Sequence, residues 1–137
     1  MTGQEASLYA VEVRDHVMIA HSLPDPLFGP AQKLHGATYV VDAAFMRPEL
    51  TEQGVVVDIG RAREALRAAL APLDYGNLDE LLPGRLTTTE YLCRHIYERL
   101  RDAARAGALG PGAEGLTRIR VTLSESHLAR AWHEGPA

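Results

Sequence analysis

The chain has 137 residues, enough for one domain that buries its own core without staples. It carries 18 acidic against 14 basic side chains, a net charge of −4, which argues against nucleic acid or an anionic membrane surface as the main partner. Its apolar runs are far shorter than a bilayer span, no charged-then-apolar leader opens it, and the single Cys93 permits no internal disulfide, so a cytoplasmic protein is expected.

Residues Met1 to Ala6 are small and polar and are expected to fray. From Leu8 to His21 the pattern predicts a strand. Tyr9, Val11, Val13, Val17 and Ile19 share one parity, and Glu12, Arg14 and His16 the other. His21 falls on the apolar parity and should point toward packed material. Pro24, Pro26, Gly29 and Pro30 break the chain into a loop. A second strand follows over Ala37 to Met46, with His35 and Gly36 at its opening turn, and the two strands read as a long hairpin. Val55 to Val57 is a short extended piece.

Asp58 is placed to cap a helix whose inner stripe is Ile59, Ala62, Leu66, Leu70 and Leu73, ended by Pro72. Asp74 to Asp79 reads as a turn, continued as loop to Leu86. Thr87 and Glu90 have the spacing of a capping box for a second helix reaching about Ala106. Its inner stripe is Leu92, Ile96, Leu100 and Ala103, with Cys93 alongside as a core residue. Gly107 to Gly115 is too rich in glycine for regular structure. Leu116 to Leu123 alternates as a strand, and a last strand is expected over Ala129 to His133. The order ββααββ predicts an α+β domain over residues 1–137: a four-stranded antiparallel sheet with two helices on one face. Such a sheet leaves two edges open, which predicts closure by association with further copies.

Two imidazoles, His21 and His35, stand at the facing ends of neighbouring strands. Zinc catalysis would need a third ligand and an open position. On a strand, the place for it is two residues after His35, where Ala37 stands. A substitute would have to come from His16, given a bulge in the first strand, or from His127. An empty pair is therefore expected, with zinc as the alternative.

The pieces Ile19-Ala20-His21, Leu34-His35-Gly36, Val56-Val57-Asp58-Ile59, Leu73-Asp74, Thr88-Thr89-Glu90 and Ser124-Glu125-Ser126 occur in an order and at separations that resemble the 6-pyruvoyltetrahydropterin synthase and 6-carboxytetrahydropterin synthase family. The resemblance covers about residues 8 to 134. It implies the tunnelling fold, with trimers closing a β-barrel and pairing into homohexamers, and active sites between subunits. It also implies a zinc ion on three histidines, a catalytic Cys, Asp and His, and a Glu with neighbouring threonines holding the pterin edge. Carried over, His21 and His35 match two zinc ligands while Ala37 replaces the third. Ala31 stands in the place of the catalytic cysteine. Asp74 matches the catalytic aspartate, with Tyr75 in place of the histidine beside it. Glu125, Thr88 and Thr89 match the substrate-binding set.

The resemblance thus implies a pterin-like ligand, with a 2-amino-4-oxo ring edge, and a lyase-family site whose zinc-dependent synthase chemistry is lost or altered. The alternative is an oligomer that binds a pterin or purine without turning it over. A lone Glu at a strand end is ordinarily just solvated, the threonines also have a helix to cap, and Asp74 also suits a turn.

Overall fold

The computed structural model describes residues 7–137. The fraying expected of Met1 to Ala6 lies outside the described residues. Strands β1 (Tyr9–His21) and β2 (His35–Arg47), each 13 residues long, form the hairpin read from their alternation. Helix α1 (Ile59–Leu70) follows, then a two-residue strand β3 (Gly76–Asn77) and a one-turn helix α2 (Leu78–Leu81). Helix α3 (Thr89–Arg105) leads to β4 (Arg118–Ser124) and β5 (Arg130–Pro136). The fold is the expected α+β arrangement with two short additions, β3 and α2. The sheet has five strands in the order β3-β1-β2-β4-β5 and is mixed, because β3 runs parallel to the end of β1 at Ile19 and Ala20.

That added strand has a local cause. Tyr75 adopts φ 59°, in the left-handed region, which reverses the chain after α1 so that Gly76 and Asn77 lie beside β1. Glycine suits position 76, since a Cβ would run into the end of the Leu81 side chain and meet the Leu73 carbonyl at 3.0 Å. Asn77 then caps α2 by accepting from the Asp79 N–H. Two residues carry no periodicity, so the Asp74–Asp79 stretch reads as a plain turn from its composition.

One face of the sheet is packed under α1 and α3. Val13, Val17 and Ile19 of β1, Tyr39, Val41, Ala43 and Phe45 of β2, and Ile119, Val121 and Leu123 of β4 point inward. They meet Ala62, Leu66 and Leu70 of α1 and Leu92, Ile96 and Leu100 of α3. Ile59 departs from the expected stripe and is exposed: it is the first residue after the Asp58 cap, before the helix has turned onto the sheet. Val55 to Val57 forms no strand, although Val56 and Val57 are buried.

The opposite face carries charge. Arg14 makes two hydrogen bonds to Asp42, at 2.7 and 3.0 Å. Glu134 accepts from Arg118 at 3.0 Å and from Arg120 at 2.8 Å, and the Arg120 guanidinium lies 4.3 Å from the centre of the Trp132 ring. On its outer edge β1 has no strand partner from Tyr9 to Met18 among the described residues, and the outer edge of β5 is likewise unpaired.

Candidate functional site

The β1–β2 ladder runs without interruption from Tyr9 opposite Arg47 to His21 opposite His35. The ladder on the other side of β2 is shorter. It begins at Val40 opposite Ser124, so among the described residues His35 to Tyr39 have no strand beside them there. Past Ser124 the chain turns, closed by the Glu125 N–H on the Ala129 carbonyl at 3.2 Å, and returns as β5. The splayed end of the sheet leaves a cleft of about 1000 Å³, bordered by the start of β2, the β4–β5 turn and the first residues of α3. Gly36 lies inside β2, opposite Ala20, and not at a turn as its composition suggests.

His21, His35, Thr88, Thr89 and Glu125 all line this cleft. Asp74 and Tyr75 do not. The run Thr87-Thr88-Thr89 divides three tasks among adjacent hydroxyls. Thr88, and not Thr87, caps α3 by accepting from the Tyr91 N–H at 3.1 Å. The Thr87 hydroxyl is buried and shares a 3.0 Å hydrogen bond with His21 Nδ1, which removes it from the expected capping box. Thr89, on the next side of the helix start, donates to Glu125 Oε1 at 2.5 Å. Tyr39, only 1 % exposed, joins this last pair: burial raises its phenol, and a hydrogen bond with Thr89 works against the rise. Tyr39, Thr89 and Glu125 therefore lie together along one wall of the cleft. The sequence pattern does not single out Tyr39, although it shares the parity of His35 and Ala37 on β2.

On the opposite wall the rings of His21 and His35 meet edge to face, 4.6 Å between centres. His35 donates its Nδ1–H to the Lys33 carbonyl at 2.7 Å, which in the neutral ring leaves the lone pair on Nε2. Burial holds the His21 imidazole below its ordinary value. The neighbouring His35 lowers it further, while the Thr87 bond and the charges of Asp79 and Glu125 oppose. Ala37 lies on the same face and lines the cleft with a methyl group, as does Ala31. The unbroken β1–β2 register leaves no bulge, so His16 stays on the exposed opposite face. His127 lies exposed in the β4–β5 turn and does not line the cleft. Among the described residues, no three His, Cys, Asp or Glu side chains are placed to hold a metal ion. Cys93 is buried, donates to the Ala131 carbonyl at 3.2 Å, and has its thiol pushed up to about 11 by burial, which leaves it a core residue.

Asp74 is occupied elsewhere. One carboxylate oxygen accepts from the Met18 N–H at 3.0 Å and the other from Arg67 at 3.1 Å, and Arg67 also pairs with Asp15 at 3.3 Å. Tyr75 donates its backbone N–H to the Met18 carbonyl at 2.6 Å, while its side chain is 80 % exposed at the sheet edge. Within one chain, these two residues brace the edge of β1.

Residues 10–136 match the sequence model of a family described as 6-pyruvoyl tetrahydropterin synthase. No curated protein matches the sequence. Among solved structures, the fold is similar to 6-pyruvoyl tetrahydropterin synthase from Caenorhabditis elegans, with 21% identity over 94% of this chain and 96% of that one and a TM-score of 0.77. The Plasmodium vivax protein of the same name shares 17% identity over 96% of this chain and 99% of its own, with a TM-score of 0.78. The Plasmodium falciparum protein gives 18%, the same coverage and 0.78.

Proposed function

The chain belongs to the 6-pyruvoyl tetrahydropterin synthase family, and from that premise we propose that its cleft holds a pterin-like or guanine-like ring by the 2-amino-4-oxo edge, on Glu125. The observation that supports this reading is the bond from Thr89 to Glu125 Oε1, which steadies a carboxylate at the cleft wall. The 2-amino group and the adjacent ring N–H of such a heterocycle are donors. Burying them without acceptors costs about 1–3 kcal/mol each. A carboxylate accepts both side by side, with charge-assisted bonds roughly twice as strong as neutral ones. Thr88, with its hydroxyl engaged in the helix cap, serves the ring as part of the wall.

The residues do not fit the zinc that the family resemblance implies. His21 and His35 supply two nitrogen donors, and the third position on that face is the methyl of Ala37. A catalytic zinc site needs three protein ligands, so no stoichiometric zinc is expected and no reaction step is routed through one. With alanine also at position 31, the synthase reaction has lost the agents that the family pattern assigns to it, and any turnover follows an altered course. The non-catalytic alternative draws support from Asp74, whose two oxygens are both engaged away from the cleft. A proton-transfer role for Asp74 and Tyr75 would have to be exercised in the cleft of an adjoining copy. The unpaired edges of β1 and β5 favour such copies, closing a barrel of trimers that pair into a hexamer in the cytoplasm. A monomer by light scattering at micromolar concentration would end that assembly.

Calorimetric titration with a panel of pterins and guanine derivatives tests the anchor. Glu125→Gln keeps the shape and sets a donor against a donor, and should weaken binding by about 2–4 kcal/mol, roughly 30- to 800-fold. Undiminished binding by Glu125→Gln would remove the anchoring role.

A further inference from the structure

One aromatic side chain at the cleft is assigned nothing by the family pattern or by the anchor. Trp132 is the chain's single tryptophan, and it lines the cleft although it is 57 % exposed. Its neighbours in β5 alternate, with Ala131 partly buried toward the core and Trp132 standing on the charged face beside Thr122. An exposed indole on a sheet face is ordinarily free to change rotamer. Here it is held. Glu134 accepts from both Arg118 and Arg120, and the guanidinium of Arg120 lies 4.3 Å from the ring centre. A guanidinium fixed by a carboxylate and stacked on an indole restrains the plane of the ring and attracts it through the quadrupole. Arg120 itself does not line the cleft.

We propose that Trp132 is the stacking platform for the ring held on Glu125, with Arg118, Arg120 and Glu134 acting as positioning residues that fix its plane. This rests on the ring-binding reading given above. The two contacts are complementary in kind. Glu125 reads hydrogen-bond donors at one edge of the ligand and is blind to its faces. An indole reads a flat, polarisable face and is tolerant of which heterocycle presents it. Together they select for flat ligands that also carry the two adjacent donors: pterin and guanine derivatives should share the site, and planar aromatics without the donor pair should be excluded. Trp132 also widens the ligand class, because stacking does not depend on the substituent that the ring carries.

The test uses the full chain with pterin as the probe. Affinity is measured by calorimetry and the ring-proton shifts of the bound ligand by NMR. Trp132→Phe, which keeps a stacking face, should bind within about threefold of the parent. Trp132→Leu, which keeps apolar bulk without a π face, should bind about tenfold or more weakly. The upfield ring-current shift of the pterin protons should be present with the parent and Trp132→Phe and absent with Trp132→Leu. Arg120→Met, which frees the indole plane, should fall between them. If Trp132→Leu binds as the parent does, or if the pterin protons show no upfield shift in the parent complex, the platform is overturned while the anchor, read separately through Glu125→Gln, stands. If the parent does not bind pterin at all, both fall.

Discussion

Two carboxylates matched to functional positions by sequence occupy very different situations in the fold. Glu125 lies at the end of β4 where the sheet splays, and one of its oxygens takes the Thr89 hydroxyl at the wall of the cleft. Asp74 lies at the end of α1, and both of its oxygens are engaged, with the Met18 N–H and with Arg67. The first is an acid steadied by one partner and open to a ligand. The second is a structural brace. Similar chemistry therefore does not imply similar use: what distinguishes the two is how many of their acceptor sites the protein itself consumes.

The same contrast separates the Glu125 wall from the His21–His35 wall, and substitutions can break or sharpen it. The largest expected effect is a gain. Ala37→His adds a third imidazole on the strand face that already presents two, and zinc content measured by elemental analysis should rise from near zero to near one per chain. About one zinc per chain in the unaltered protein, purified without added metal, would show that the site is complete without that histidine. Next is Asp74→Ala, which leaves Arg67 with Asp15 alone and the Met18 N–H without its acceptor. Denaturant unfolding should show a loss of about 1–3 kcal/mol, with pterin affinity per folded chain unchanged. A stable variant that loses ligand affinity would move Asp74 from brace to binding site.

Smaller effects follow. Thr89→Val removes the hydroxyl that orients Glu125 and keeps the β-branched packing at the start of α3. Calorimetry should show binding weakened by about 1 kcal/mol, well short of the effect of Glu125→Gln. An equal loss in the two variants would make Thr89 a direct ligand contact. Tyr75→Gly relieves a left-handed backbone that costs a non-glycine residue roughly 1 kcal/mol, and should raise the unfolding free energy by about that amount or less. If Tyr75→Gly instead lowers stability, the exposed ring contributes contacts, with an adjoining copy as the natural source.

Much of this molecule was legible in its sequence. The parity of β-branched residues in β1 placed His21 toward packed material, and it is 3 % exposed. Four strands and both long helices follow from alternation and from the 3.6-residue period. The failures are local and have physical reasons. Ile59 carries the right residue type for the α1 stripe but stands before the helix meets the sheet. Thr87, Thr88 and Thr89 are chemically alike, so the choice of which one caps α3 is made by His21 and Glu125, both remote in sequence. The β3 strand depends on one left-handed tyrosine and two residues without a pattern. Tyr39 and Trp132 carry no motif of their own: the first is set at the cleft by the pairing of β2, and the second is held by Arg120 and Glu134 across the β4–β5 ladder.

The unequal ladders on the two sides of β2 bear on motion as well as on shape. A strand paired on both sides opens only with the whole sheet, whereas among the described residues His35 to Tyr39 are tied to β1 alone. Their amides on the free side are held by no ladder, and these residues belong to the low end of the protein's range of local opening energies. Hydrogen exchange should therefore be faster in this segment than in Val41 to Phe45 of the same strand, and should slow when the cleft is filled. Occupancy of the site would then be recorded as time, in the protection of a few backbone protons, whether or not any bond in the ligand is ever broken.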